Sequence, residues 1–184
     1  AGCIAFGWEV VGSALYVLAI HHKHMALYYA PAFFAHLLGR CLRRRRPLLQ
    51  LLKLAATVLG TTALCWAPLY LAGGAPAVVA GVSRLVPLKR GLYEDYVANF
   101  WCSTNPAFRW KQRWEIAELA RMALAATVLA ALPSMAQQIM RPSRRGFLYA
   151  LLCSSLAFFL FAFQVSVYIT ACICVCVCVC VLRE

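Results

Sequence analysis

The residues best suited to chemistry in this chain lie in the segment Ser83–Cys102. Arg84, Lys89 and Arg90 are basic residues set between two strongly apolar stretches. A guanidinium group is planar and forms paired hydrogen bonds with a phosphate, whereas an ammonium group binds it as a point charge. The segment therefore predicts a site for a lipid phosphate headgroup, with Arg84 and Arg90 as binding residues. The alternative is that each basic side chain only anchors the segment to lipid.

Two adjacent carboxylates follow these basic residues. Asp95 is the only aspartate of the chain, and Glu94 precedes it. A transfer to an acceptor hydroxyl group needs a base that takes the proton, and a carboxylate can do this. Two neighbouring carboxylates beside Lys89 and Arg90 are, however, more typical of an ion-paired turn or helix start. We predict that Glu94 and Asp95 contribute to substrate binding, and the catalytic base stays unassigned.

A second polar cluster, His21-His22-Lys23-His24, lies between two apolar stretches. It contains neither an H-x-x-x-H pair nor a nearby acidic residue, so no metal site is predicted. Lys23 and His24 are predicted to contact substrate, and the alternative is an anchor at the membrane surface. Tyr28 and Tyr29 follow closely and are predicted to present their rings to a sugar, although aromatic belts are common at that depth.

An amphipathic helix over Leu92–Trp101 is predicted to position the first group of residues. Apolar side chains recur there at three- and four-residue spacing, while Glu94, Asp95 and Asn99 fall on the opposite side. This pattern indicates a helix that lies in the membrane interface, with Trp101 at headgroup depth. Asn99 and Trp101 complete the predicted substrate-binding set.

Most of the remaining chain is apolar. Hydrophobic residues make up 64% of the 184 residues, charged residues make up 13%, and the mean hydropathy is +0.74. One small soluble core cannot bury so much apolar surface, and a membrane-spanning helix needs about 20 apolar residues. The sequence therefore predicts an all-α polytopic membrane protein of about five helices, with spans at 3–20, 25–39, 54–73, 115–136 and 146–168.

The net charge of +12 reflects clustered arginine, which can be the footprint of nucleic-acid binding. Arg43–Arg46, however, lies in a short connection between apolar spans, where cytoplasmic loops collect positive charge. We predict no nucleic-acid partner and a cytoplasmic loop at 40–53. Alternation of the spans then puts the polar cluster at 21–24 and the connecting loop 74–114 on the lumenal side. Glu9, at the start of the first span, is expected to be solvated at the cytoplasmic interface.

The end of the chain has a different character. Residues 172–181 alternate strictly between cysteine and a hydrophobic residue, almost always valine, and five of the ten cysteines lie there. A TG repeat read in triplets encodes Cys-Val, so residues 166–184 are predicted to be a non-native low-complexity tail without function. The alternatives are a β-strand or a metal-binding tract, but thiolates about 7 Å apart along a strand do not enclose a metal.

Three sequence motifs resemble the dolichyl-phosphate-glucose-dependent α-1,3-glucosyltransferases of the endoplasmic reticulum. They are Lys23-His24-Met25-Ala26-Leu27-Tyr28-Tyr29-Ala30-Pro31, the arginine and proline of Arg84-Leu85-Val86-Pro87, and Arg90-Gly91-Leu92-Tyr93-Glu94-Asp95-Tyr96-Val97-Ala98-Asn99-Phe100-Trp101-Cys102. The resemblance covers residues 5–165. It is stronger to the enzymes that add the first glucose than to their second-glucose sister, although Lys23-His24 is more typical of the sister.

The resemblance implies a GT-C transmembrane bundle in the endoplasmic reticulum membrane, with its site facing the lumen. It implies transfer of glucose from dolichyl phosphate glucose to the mannose arm of dolichyl-pyrophosphate-linked oligosaccharide, without a metal or other cofactor. The family's catalytic aspartate would precede Ala1, and its His-Glu-Lys motif would follow Phe163-Gln164-Val165, where Ser166 stands instead. We therefore expect 1–165 to be a glucosyltransferase fragment that is inactive alone. A non-catalytic polytopic membrane protein is the competing hypothesis.

Overall fold

The computed structural model describes residues 2–5, 7–85 and 99–162. Helices account for nearly all of these residues, and the described part of the chain contains no β-strand, in agreement with the predicted all-α class. The helices are α1 (Gly2–Ala5), α2 (Glu9–His22), a 3-10 helix (His24–Tyr29), α3 (Ala30–Leu42), α4 (Pro47–Leu85), α5 (Phe100–Phe108), α6 (Trp110–Arg113), α7 (Ile116–Met140) and α8 (Arg144–Phe161).

The chain divides into two compact units. The first unit takes its described residues from Ala1–Leu27 and Leu37–Lys89, and the second from Tyr28–His36 and Arg90–Glu184. In the first unit α2 packs against α1 and α4, and in the second α8 packs against α7 and α5. The second unit therefore holds α5, the element that carries the end of the longest family-like motif.

Three described helices are long and apolar enough to cross a membrane, and they lie within α4, α7 and α8. They overlap the predicted spans 54–73, 115–136 and 146–168, although α8 ends at Phe161 and residues 163–168 lie outside the described residues. The predicted spans 3–20 and 25–39 are also helical, but α2 has 14 residues and α3 has 13. Both are shorter than the roughly 20 residues of a straight crossing. A turn at Gly7 (φ 94°) separates α1 from α2, and the first residues of the predicted span 25–39 belong to the 3-10 helix that precedes α3.

The helix α4 reverses direction near residue 74. Gly74 has φ 65° and ψ −163°, a conformation that suits glycine, and Pro76 follows. Gly81 lies against the ring of Trp66, although the two would be about 22 Å apart along a straight helix. The helical conformation of α4 is thus interrupted next to residue 73, where the span was predicted to end, although the apolar stretch continues to Ser83. The connection 74–114 is helical in much of its described part, because it holds the end of α4 together with α5 and α6.

The predicted helix over Leu92–Trp101 is wrong at its C-terminal end. Asn99 is extended (φ −99°, ψ 178°), and its side-chain oxygen accepts a hydrogen bond of 2.9 Å from the backbone N–H of Cys102. Asparagine is a preferred N-cap because it satisfies one of the free N–H groups of the first turn. A helix therefore begins at Phe100, and Asn99 precedes it. Residues 92–98 lie outside the described residues.

Candidate functional site

The structure describes only some of the predicted site residues. Arg90, Glu94 and Asp95 lie outside the described residues. For Arg84, in the last turn of α4, and His24, the first residue of the 3-10 helix, the backbone is described and the side chain is not. The side chains of the other predicted residues are described, namely Lys23, Tyr28, Tyr29, Asn99 and Trp101.

Trp101 lies in the core of the second unit. Only 3% of the residue is exposed, and its ring packs with Leu119 and Ala123 of α7. The indole Nε1–H donates a hydrogen bond of 2.9 Å to the backbone carbonyl of Phe161 in the last turn of α8. The last four carbonyls of a helix lack partners within the helix. Trp101 therefore fixes the end of α8, and its side chain is not exposed at headgroup depth as the sequence led us to expect.

Tyr28 contacts the same end of α8. Its ring lies against that of Phe158, with 5.1 Å between the ring centroids, and its backbone carbonyl accepts a hydrogen bond of 2.6 Å from the hydroxyl of Ser154. The structure thus brings together two predicted site residues, Tyr28 and Trp101, that are far apart in sequence. Both meet α8 in its last two turns, and the chain then continues toward Phe163-Gln164-Val165. Tyr29 is half-buried in the 3-10 helix.

The histidine cluster has a structural role in the first unit. The ring of His21 packs edge-on against that of Trp66, and its Nδ1 lies 2.8 Å from the carbonyl oxygen of Val17. Lys23 ends α2 in an extended conformation and is exposed. The hydroxyl of Tyr16 donates a hydrogen bond of 2.8 Å to the carbonyl of Ala26. These contacts hold the turn between α2 and the 3-10 helix and leave Lys23 at its surface.

The expectation that Glu9 is solvated is wrong. Its side chain is only 3% exposed, and Oε1 lies 2.7 Å from Nε of Arg40 and 3.5 Å from Nη2 of Arg44. The other carboxylate oxygen accepts a hydrogen bond of 2.9 Å from the Gln50 amide. The sequence did not reveal this cluster, because Arg40 and Arg44 lie in the loop 40–53, whose positive charge was attributed to a cytoplasmic location. The available signal was an acidic residue at the edge of an apolar stretch.

A cavity of about 280 Å³ opens beside this carboxylate. It is lined by Gly7, Trp8, Glu9, Val10, Val11, Arg44, Gln50 and Lys53. Cys41 lies nearby and is almost completely buried. Burial raises the pKa of its thiol, and the charge of Glu9 raises it further, whereas Arg44 and Arg40 act in the opposite direction. The thiol is therefore held in its neutral form, which is a poor nucleophile.

The second unit contains a neutral polar group that the sequence did not reveal. Nδ1 of His36 lies 2.9 Å from the side-chain oxygen of Gln138, and both residues are about 1% exposed. The ring of Phe147 lies over that of His36 at 4.5 Å between centroids. These three side chains connect α3, α7 and α8. His36 lies within an apolar stretch, where a polar residue is itself a signal, whereas Gln138 lies just past the predicted span 115–136 and gave no such signal.

Comparison with known proteins identifies relatives over nearly the whole chain. Residues 2–183 match the model of the ALG6, ALG8 glycosyltransferase family. A "Probable dolichyl pyrophosphate Man9GlcNAc2 alpha-1,3-glucosyltransferase" of Arabidopsis thaliana is 52% identical over 156 residues, which are 85% of this chain and 29% of that protein. Proteins given the same name without "probable" in Saccharomyces cerevisiae and Gallus gallus are 42% and 38% identical, over 85% and 88% of this chain and 29% and 32% of their own lengths. The chain thus spans about a third of the length of these curated relatives.

Proposed function

This chain belongs to the ALG6, ALG8 glycosyltransferase family, and we propose that the whole protein transfers glucose from dolichyl phosphate glucose to dolichyl-pyrophosphate-linked oligosaccharide. The acceptor is the form that carries nine mannoses and no glucose, and the reaction takes place at the lumenal face of the endoplasmic reticulum membrane. Two features support the first-glucose assignment. They are the sequence Glu94-Asp95-Tyr96-Val97-Ala98-Asn99-Phe100-Trp101-Cys102 and the names of the relatives, which specify a Man9GlcNAc2 acceptor.

One observation carries the proposal beyond sequence similarity. Tyr28 from the first family-like motif and Trp101 from the last one contact the final two turns of α8. Motifs that serve unrelated packing roles have no reason to meet at one helix end. A shared site at that end gives both motifs one purpose, which is to fix the residues that bind the substrates.

The reaction needs two kinds of group from the protein. The bond between the glucose anomeric carbon and the donor phosphate breaks, a bond to the acceptor hydroxyl oxygen forms, and dolichyl phosphate leaves with the bonding electrons. Arg90 and Arg84 hold the phosphate and balance the charge that develops on it. Lys23, His24, Tyr28, Tyr29, Glu94 and Asp95 complete the proposed binding set, and the buried side chains of Asn99 and Trp101 act as positioning residues. The base that takes the acceptor proton is not assigned to this chain.

A chimeric enzyme tests the proposal directly. Residues 5–165 of this chain would replace the matching stretch of the Saccharomyces cerevisiae relative, and membranes containing the chimera would receive dolichyl phosphate glucose labelled in the sugar. We expect transfer of label to the lipid-linked acceptor with nine mannoses. An acceptor that already carries one glucose should receive none if this is the first-glucose enzyme.

The control is a chimera with Trp101→Ala, which removes the contact that fixes the end of α8. It should be present in membranes and should transfer much less glucose. If the parent chimera accumulates to the level of the yeast enzyme but transfers no glucose, the proposal is wrong and a non-catalytic membrane protein becomes the better account. Transfer only to the monoglucosylated acceptor would reassign the chain to the second-glucose reaction.

A further inference from the structure

The cavity beside Glu9 lies in the first unit and is not used by the proposed reaction. Arg44 and Lys53 line it together with Gln50, and Trp8 forms part of its wall. Trp8 is 67% exposed, and 55% of the Arg44 side chain is exposed. The cavity therefore presents a guanidinium, an ammonium and an indole ring to its surroundings.

The charges around the cavity are unbalanced. Glu9 is the one acidic side chain of the cluster, and it forms its shortest ion pair, 2.7 Å, with Arg40. Arg44 is held to the same carboxylate only by a 3.5 Å contact, and Lys53 adds a third positive charge. A buried ion pair alone contributes little net stability. Here the carboxylate of Glu9 keeps Arg44 at the edge of the cavity. Arg44 and Lys53 together give the lining of the cavity a net positive charge.

The position of the cavity points to the membrane surface. Gln50 and Lys53 belong to the first turns of α4, a helix that is apolar enough to enter a membrane. Exposed leucines surround this start of the helix, namely Leu48, Leu49 and Leu52. Tryptophan such as Trp8 is enriched where a protein meets lipid headgroups. The cavity thus lies beside the start of a candidate membrane-spanning helix, where lipid headgroups would surround it.

We infer that this cavity binds the phosphate of an anionic phospholipid, with Arg44 and Lys53 as its ligands and Trp8 beside the glycerol and acyl chains. A guanidinium group binds a phosphate through paired hydrogen bonds, and an ammonium group binds it as a point charge. Glu9 is a positioning residue because it acts through Arg44 and Gln50. The site is independent of the glucosyl transfer.

Two double variants with equal charge loss test the inference. The purified chain would be held in neutral detergent, and the Kd of a fluorescent short-chain phosphatidylglycerol would be measured, with phosphatidylcholine as the neutral comparison. The variant Arg44→Gln with Lys53→Gln should raise the Kd of phosphatidylglycerol roughly thirtyfold, from about fivefold per basic residue. The control Arg45→Gln with Arg46→Gln changes exposed arginines of the same loop that do not line the cavity, and it should raise the Kd less than about threefold.

Equal losses in the two variants would overturn the inference, because the binding would then reflect the charge of the loop as a whole. No loss in either variant would overturn it as well. Inorganic phosphate provides the third arm of the test. If millimolar phosphate displaces the lipid, and if its own binding is lost in the Arg44→Gln and Lys53→Gln variant, the cavity is a site for a soluble phosphate and not for a lipid.

Discussion

The two units of this protein solve the same problem, a polar group in apolar surroundings, in opposite ways. The first unit buries a charge: Glu9 is matched by Arg40, Arg44 and Gln50. The second unit buries a neutral pair, since His36 bonds to Gln138. The charged cluster lies where α2 begins, α3 ends and α4 begins, whereas the neutral one joins the middle of α3 to the end of α7 and the start of α8.

The difference follows from the cost of charge in a medium of low dielectric constant. An ionised group without a partner in the bilayer interior is expensive, so charges stay near water or lipid headgroups. A neutral hydrogen-bonding group costs less to bury than a charge, even though the amide nitrogen of Gln138 has no hydrogen-bond partner among the described residues. The comparison therefore indicates that the buried carboxylate of Glu9 requires cationic partners, whereas His36 is buried with a neutral partner.

The largest expected effect is on the charged cluster. Arg40→Ala leaves the carboxylate of Glu9 buried with only a distant cation and one amide. Removing one partner of a buried ion pair costs about 3–5 kcal/mol. We expect a decrease of about that size in the free energy of unfolding, measured in mixed micelles by circular dichroism as SDS is added.

A second substitution separates charge from packing. Adding Glu9→Gln to Arg40→Ala removes the uncompensated charge but keeps the shape of the side chain, so the double variant should be more stable than Arg40→Ala alone. Two destabilising effects that simply add would contradict a charge-balanced cluster. Arg45→Ala, which changes an exposed loop arginine, should alter stability by less than about 0.5 kcal/mol.

A glycine substitution tests the neutral group. A methyl group added at Gly146 would overlap the side-chain amide of Gln138 and approach the hydroxyl of Ser143. Gly146→Ala should therefore destabilise the protein by about 1–3 kcal/mol, as overpacking usually does. Gly60→Ala is the matched control because its added methyl group meets open space in α4, and it should be neutral or stabilise by up to about 1 kcal/mol. Equal effects would mean that Gln138 can move aside freely.

The smallest expected effect is the difference in stability between the loss of one tryptophan hydrogen bond and the loss of another. Trp101 donates to the carbonyl of Phe161, and Trp110 donates to the hydroxyl of Thr104, both at 2.9 Å. Trp101→Phe leaves a buried acceptor without its donor and should cost about 1–3 kcal/mol, whereas Trp110→Phe leaves a hydroxyl that can turn to another partner and should cost about 1 kcal/mol or less.

Hydrogen exchange localises this difference. In Trp101→Phe the amides of the last turn of α8 should exchange faster, and in Trp110→Phe they should not change. Faster exchange at α8 in both variants would show that the packing of α5 and α6, and not the indole hydrogen bond, holds that helix end.

Sequence patterns predicted the helices better than the contacts between them. Apolar runs predicted the three long helices α4, α7 and α8. The break in α4 lies next to residue 73, because glycine and proline interrupt a helix through their local geometry. The apolar periodicity of Leu92–Trp101 placed Asn99 inside a helix, whereas Asn99 is the N-cap that precedes α5. Capping depends on one side chain, and a periodic pattern does not identify it. The burial of Glu9 depends on Arg40, more than 30 residues later in the chain, and no local pattern reports such a pair.

The candidate site shows the same limit. The motifs that contain Tyr28 and Trp101 were recognisable, but their meeting on α8 is a tertiary contact. Trp101 was predicted to face lipid headgroups because interfacial tryptophan is common. Its burial against Leu119 and Ala123 gives it a positioning role that its residue type alone does not indicate.

The proposed phosphate contact of Arg90 is the most direct point at which to test the account. In the chimeric enzyme, the KM for dolichyl phosphate glucose would be measured for Arg90→Ala and for Arg113→Ala, which changes an exposed arginine at the end of α6. Loss of a charge-assisted hydrogen bond costs about 1.5–3 kcal/mol, which corresponds to roughly tenfold to more than a hundredfold in binding. The account predicts an increase of that size in the KM for the donor with Arg90→Ala and little change with Arg113→Ala. Equal values for the two variants would contradict it.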